Sequence, residues 1–304
     1  MILDSLISVF LVIALGWALR QTLLPNDEAW KGFEAISYYI LVPALIAKTL
    51  AYARLGDVPF GKLAATLLGA VFLLGAILLA LRPLLARLMR IDGPGFTSIF
   101  QGTLRWNAFI ALAIAANLFG NEGVTLAAVA IAALIPVLNV ASVMVLRQYG
   151  TGQGQGSLWA GLAKNPFIVG TLVGIVLNAT SLPIPNAIGL ALDITGRCAL
   201  GAGLLLVGAG LHLRDLQKPG PALLAGIGLR LALAPLVGFG LAKAVGLTGN
   251  SLIIALVCLG VPTASASYLL ARKLGGDAQL MAAITTGQTL LSLISLPIVI
   301  ALLT

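Results

Sequence analysis

Apolar runs of about twenty residues follow one another along the whole chain, and the short polar stretches between them leave little to show to water. A helix of that length crosses the hydrocarbon core of a bilayer. Lipid offers no partner to a backbone N–H or C=O, so each run must satisfy its own polar groups, which a helix does and an open strand does not. Composition points the same way, with 60% of residues hydrophobic and 9% charged. The sequence predicts an all-α integral membrane protein with ten transmembrane helices, at 2–20, 33–52, 62–84, 96–118, 123–146, 166–182, 187–212, 221–244, 250–271 and 279–303. The first run has no basic residue ahead of it, only Met1-Ile-Leu-Asp4, and is expected to be a membrane helix rather than a secretory signal.

A formal charge of +8 would suggest nucleic acid in a water-soluble chain, but here Lys and Arg are scattered between apolar runs and orient the protein instead. Alternate loops hold eleven of them: Arg20, Lys31, Arg82, Arg87, Arg90, Arg147, Lys164, Arg214, Lys218, Arg272 and Lys273. The opposite loops hold three, Arg54, Lys62 and Lys243. Positive charge stays inside, so the first set is expected in the cytoplasm and both termini outside. Cys198 and Cys258 fall within apolar runs, where they read as small packing residues with no disulfide or metal role.

Two runs are interrupted where the bilayer midplane should fall, by Gly102-Thr-Leu-Arg105-Trp-Asn107 in span four and Gly260-Val-Pro262-Thr-Ala-Ser265-Ala-Ser267 in span nine. Breaks at that depth are tolerated where protein or a wet cavity supplies partners, and matching breaks in two halves of a chain point to a transporter's binding site. The hydrophilic stretch Gln148-Tyr-Gly-Thr-Gly-Gln-Gly-Gln-Gly156 separates the halves. The expected organisation is a first five-helix repeat over 1–147, a cytoplasmic linker over 148–164 and a second repeat over 165–304. A shift of 158 positions aligns 11 identities over residues 16–57, among them Pro25 with Pro183 and Asp57 with Asp215. Five is odd, so the second half enters the membrane inverted, and spans four and nine become equivalent.

Pro262 cannot donate to the carbonyl of Cys258 and its ring crowds that turn, at a cost of about 3 kcal/mol in an unbroken helix. Span nine is therefore expected to open there and to restart as a half-helix over Thr263 to Arg272, with proline at its first position. The positive end of that half-helix, with the hydroxyls of Thr263, Ser265 and Ser267, forms an anion-seeking arrangement. In span four, Asn107 suits the N-cap of a second half-helix, and Arg105 adds a full charge two residues earlier. These six residues, Arg105, Asn107, Pro262, Thr263, Ser265 and Ser267, are the candidate substrate-binding set.

Arg105-Trp-Asn107-Ala-Phe-Ile-Ala-Leu112, Asn165-Pro166, Val261-Pro-Thr-Ala-Ser-Ala-Ser-Tyr268, Arg272-Lys-Leu-Gly-Gly-Asp277 and Thr289-Leu-Leu-Ser-Leu-Ile-Ser-Leu-Pro297 stand in an order and spacing that resemble bacterial members of the auxin efflux carrier family. The resemblance covers essentially the whole chain. It implies a ten-helix carrier in which helices four and nine cross at the substrate site. Helices one, two, six and seven would form a scaffold that joins two copies as a homodimer, and the other six a moving transport domain. It further implies organic-anion substrates, auxin-like monocarboxylates or malonate and malate, and a place in a bacterial inner membrane with periplasmic termini. Two departures from the plant pattern are visible. The break in span four has no proline to require it, and the central loop is too short to hold the plant regulatory region.

Other charged residues suit structural roles better. Arg197 follows Asp193 at the spacing of a helical ion pair. Lys48 is near a helix end and can extend toward the headgroups, and His212 sits at a span boundary. Arg230, deep in span eight with no acid nearby in sequence, fits a functional or a structural role equally. In span seven, Gly201, Gly203, Gly208 and Gly210 mark a face for close helix packing, which the resemblance would assign to the dimer contact.

Absences narrow the function. No carboxylate falls at a predicted midplane, against a cation exchanger. A serine hydrolase within the membrane needs a base, and the sole histidine lies at another depth. Neither a Walker loop nor a metal-binding cluster occurs, so no cofactor is expected. The sequence thus predicts a secondary carrier of small organic anions working by alternating access, with the lipid bilayer and a second copy as partners. A transporter-like receptor that binds a carboxylate without moving it is the alternative, separable by solute flux into sealed vesicles.

Overall fold

The computed structural model describes residues 2–53, 59–152, 165–180, 182–216 and 219–303. Linker residues 153–164 and several positions used above, Arg54, Asp57, Lys164 and Lys218, lie outside the described residues. All regular structure among the described residues is helical. In chain order the helices are α1 (Ile2–Gln21), α2 (Asp27–Ile36) and α3 (Val42–Ala51) joined by a π-turn at Ser37–Leu41, α4 (Phe60–Ala80), α5 (Arg82–Met89), α6 (Gly93–Leu104) and α7 (Ala108–Tyr149). Then come α8 (Pro166–Thr180), α9 (Asn186–Ala209), a 3-10 turn at Leu213–Leu216, α10 (Pro221–Gly228) and α11 (Ala234–Val245) joined by a π-turn at Leu229–Leu233, α12 (Gly249–Gly260), α13 (Ala266–Leu274) and α14 (Ala278–Leu303). Among the described residues, seven helical stretches are long and apolar enough to cross a membrane. One of them, Gly93–Tyr149, runs for 57 residues and holds predicted spans four and five. α8 and α12 are apolar but shorter. The all-helical class expected from the sequence is observed, with seven apolar stretches of membrane-spanning length among the described residues.

The irregularities have local causes. Both π-turns stop one residue short of the residue that precedes a proline, Pro43 in one case and Pro235 in the other. A proline lacks the donor for an ordinary turn and crowds the carbonyl four residues back. Widening the turn just ahead, with Val42 donating to Ser37 and Ala234 to Leu229, lets the helix pass the proline without stopping. α7 instead bends at Gly120, whose φ of 55° and ψ of −134° are closed to side-chain-bearing residues. That bend falls between predicted spans four and five.

The chain divides into two compact units, each drawing on both sequence halves. The first comprises Met1–Phe60, Ala108–Ala132 and Trp159–Gly210. Here glycines let helix backbones touch. A Cβ on Gly208 of α9 would lie 1.9 Å from the carbonyl oxygen of Ile13 in α1, and one on Gly16 of α1 would lie 2.2 Å from that of Leu205. Gly170 and Gly174 of α8 meet Pro43 and Ala47 of α3 in the same way. Gly208, expected at a dimer contact, is thus consumed inside the chain, because its missing side chain is what lets α1 approach. Asp193 binds both Arg197, at 2.7 Å, and Lys48. Lys48 is structural as expected, through an ion pair rather than by reaching for the headgroups.

The second unit comprises Gly61–Asn107, Ala133–Leu158 and Leu211–Thr304. Its apolar core is built on Ile99 of α6, Leu223 of α10, and Met281 and Ile284 of α14. Asp92 caps the start of α6 by accepting from the Gly95 amide. Ser98, on the same helix, donates to the carbonyl of Asp277 at 2.7 Å, tying α6 to the turn between α13 and α14.

Candidate functional site

Both predicted breaks exist. α6 ends at Leu104, Arg105 takes an extended conformation (φ −71°, ψ 153°), and α7 starts at Ala108. α12 ends at Gly260, Val261 takes nearly the same conformation (φ −66°, ψ 153°), and α13 starts at Ala266. The two interruptions are bonded to each other, for the Asn107 amide donates to the Pro262 carbonyl at 2.8 Å. Span four therefore breaks without a proline. The restart in span nine corrects the sequence expectation, since α13 begins three residues after Thr263 and Pro262 is not its first residue. Val261 to Thr263 stay out of the helix because tertiary partners have taken polar groups of each.

Those partners come from α14 and from the π-turn before α11. A helix leaves its last carbonyls without intrahelical donors, and in an apolar interior each needs one. Gln288 of α14, fully buried, donates to the carbonyls of Gly102 at 2.9 Å and Gly226 at 2.8 Å. Its oxygen accepts from the Thr263 amide at 2.8 Å, so one side chain links both breaks. Arg230, 1% exposed, donates to Val261 at 2.8 Å, Thr103 at 3.2 Å and Cys258 at 2.6 Å, all backbone carbonyls. The Cys258 carbonyl is the one that Pro262 cannot serve within a helix.

The six candidate residues separate by environment. Asn107, Pro262, Thr263 and Ser267 are buried, whereas Arg105 and Ser265 are half-buried. The Arg105 guanidinium donates to the amide oxygen of Asn139 on α7 at 3.0 Å, with Ser142 at 3.5 Å. The Thr263 and Ser267 hydroxyls lie 3.4 Å apart, turned toward each other, and Thr263 also donates to the Gln101 carbonyl at 3.4 Å. Ser265 occupies the N-cap position of α13, yet its hydroxyl does not cap that end of the helix. The structure therefore gathers all six at one crossing but ties the Thr263 and Ser267 hydroxyls into the protein. Arg105 and Ser265 stay half-buried, and the Ser267 and Tyr268 amides at the start of α13 donate to the Ala264 and Ser265 carbonyls at 2.9 and 3.1 Å. Gln101, one turn before the first break, is fully buried and its side-chain amide has no partner among the described residues.

Sequence reasoning missed Gln288 and did not decide on Arg230. A signal for Gln288 was present, because a glutamine amid Thr285, Thr286 and Thr289 in an otherwise apolar run is a polar cluster at membrane depth.

Residues 153–300 match the sequence pattern of the membrane transport protein family. That agrees with the auxin efflux carrier resemblance carried by its motifs. It is also similar to an uncharacterized transporter of Methanothermobacter thermautotrophicus, 22% identical over 296 residues that cover 97% of this chain and 96% of the relative. The family match and the transporter-named relative support a multi-pass membrane transporter set in a lipid bilayer.

Proposed function

We propose that this transporter is a secondary carrier of small organic anions, mono- or dicarboxylates such as malonate, malate or auxin-like acids. The observation that carries the proposal is the backbone bond between Asn107 and Pro262, which joins two helix breaks at one point beside a half-buried arginine. A carboxylate at that crossing meets the Arg105 guanidinium and the positive end of α13. Ser265 lies within the same end and supplies a hydroxyl. Thr263 and Ser267 shape the site from behind.

Ten spans in a 5+5 inverted arrangement, a homodimer, an inner-membrane location with periplasmic termini and elevator-type alternating access belong to the same proposal. It draws support from the similar geometry of the two breaks and from the division into units. Predicted spans one, two, six and seven fall in the first unit, while spans three, eight, nine and ten fall in the second.

The test is a panel of carboxylates scored by thermal stabilisation of the purified protein, because a ligand stabilises the state it binds. Arg105→Gln should keep the fold and weaken the best carboxylate by roughly ten- to more than a hundredfold, the equivalent of about 1.5 to 3 kcal/mol for a charge-assisted contact. Arg105→Lys should recover part of that loss, since an ammonium cannot make the planar two-pronged contact. Undiminished carboxylate affinity in a folded Arg105→Gln protein would sink the proposal.

A further inference from the structure

Arg230 is an ionised side chain in an apolar core, and among the described residues it donates to three backbone carbonyls rather than to a carboxylate. The location of those carbonyls explains its stability there. Thr103 is in the last turn of α6, Cys258 is in the last turn of α12, and Val261 is the residue immediately after α12. Each helix C-terminus behaves as roughly half a negative charge. Two of them converge on Arg230 and together approximate the full negative charge that a buried guanidinium requires. Its planar fork presents Nε, Nη1 and Nη2 in different directions, which allows one side chain to reach two helices.

We propose that Arg230 is a positioning residue that cancels the two negative helix ends at the crossing, so that only the positive half-helix end and Arg105 face the ligand, and that Gln288 holds the same breaks mechanically without contributing charge. This deepens the anion-carrier reading and rests on it for the ligand. Left unneutralised, the ends of α6 and α12 would oppose a carboxylate at the point where the breaks meet. With Arg230 in place the crossing is left anion-selective. Gln288, being neutral, fixes the Gly102 carbonyl and the Thr263 amide in register but leaves the field nearly as it was. The two residues therefore differ in what their loss should do.

The experiment uses the full-length protein in lipid nanodiscs and two probes of similar size, malonate and its neutral diamide malonamide. Hydrogen exchange is followed over residues 101–107 and 258–264. Arg230→Met should raise exchange in both segments at least tenfold and cut the preference for malonate over malonamide at least tenfold, and Arg230→Lys should restore much of that preference but less of the protection. Gln288→Leu should raise exchange in both segments while the preference changes by less than threefold. If Arg230→Met does not fold, Arg230→Lys decides in its place, for parental exchange at both breaks in that variant overturns the positioning role. Parental exchange at both breaks in a folded Arg230→Met protein, or an unchanged preference where malonate binds, overturns the proposal for Arg230. If the parent does not bind malonate, exchange alone decides. Failure of the anion-carrier reading has a different signature: Arg105→Gln then leaves malonate affinity unchanged, with no effect on exchange at the breaks.

Discussion

Replacing Pro262 with alanine separates two explanations of the broken helix. If the proline causes the break, its removal restores a donor to the Cys258 carbonyl, relieves a ring clash worth about 3 kcal/mol and lets α12 run on into α13. The structure indicates otherwise. A continuous helix through 261–265 would strand three buried groups: the Asn107 amide now bound to Pro262, the Gln288 oxygen now bound to Thr263, and the Arg230 Nε now bound to Val261. Each stranded group costs roughly 1 to 3 kcal/mol, and more where it is charged, for a total of about 5 kcal/mol or above. That exceeds the relief. Pro262→Ala should therefore keep its break, show parental hydrogen exchange over 261–265, and bind the best carboxylate within about fivefold of the parent, well under the 1.4 kcal/mol of a tenfold change. Adding Gln288→Leu removes one anchor while the Asn107 amide and the charged Arg230 keep theirs, so the double variant should retain the break and exchange faster across the same residues. The span-four break, which has no proline at all, follows the same logic. Gained protection and lost binding in Pro262→Ala alone would refute the reasoning, because the proline would then be the cause.

Three further outcomes are expected. Gly208→Leu should destabilise the protein by more than the roughly 1 to 3 kcal/mol of ordinary overpacking, because the obstacle is the Ile13 backbone at 1.9 Å, whereas Gly201→Leu, with nothing within 4 Å, should be tolerated; melting temperature and native mass together tell a packing loss from a dimer loss. Ser265→Ala should lower carboxylate affinity a few-fold with little effect on melting temperature, and Ser267→Ala should do the reverse, since its hydroxyl lies against Thr263 in the interior; equal affinity losses in both would mean that the buried pair also faces the ligand. With Cys198 and Cys258 replaced, Gln155→Cys should resist an impermeant thiol reagent in intact cells while a cysteine added after Thr304 is labelled; the opposite pattern would reverse the orientation inferred from the distribution of Lys and Arg.

Much of the candidate site was legible because its signals are local. Arg105, Asn107 and Pro262 announce themselves by being charged, polar or unable to donate within long apolar runs, and lipid makes any such residue costly unless it has a purpose. The i,i+4 spacing of Asp193 and Arg197 likewise revealed an ion pair before any coordinates, and the observed bridge is 2.7 Å. What was not legible depends on groups far apart in sequence. Lys48 pairs with Asp193 across 145 positions, and Gln288 reaches Gly102 across 186. No periodicity in the chain encodes either contact.

The sequence alone determined that this is a helical membrane protein with interrupted helices, since continuous apolar runs of about twenty residues satisfy their backbone in lipid as helices, whereas barrel strands are short and alternate. It also located both interruptions, to within a few residues. Only the tertiary structure decided what keeps them open. α13 starts at Ala266 rather than near Thr263, where Gln288 holds the Thr263 amide and Asn107 the Pro262 carbonyl. Arg230 acts on backbone and not on ligand because folding brings two helix ends to it. Gly208 belongs to the α1 contact because Ile13 lies against it. The cost of an unsatisfied polar group is written in the sequence, but its partner is chosen by which helices meet.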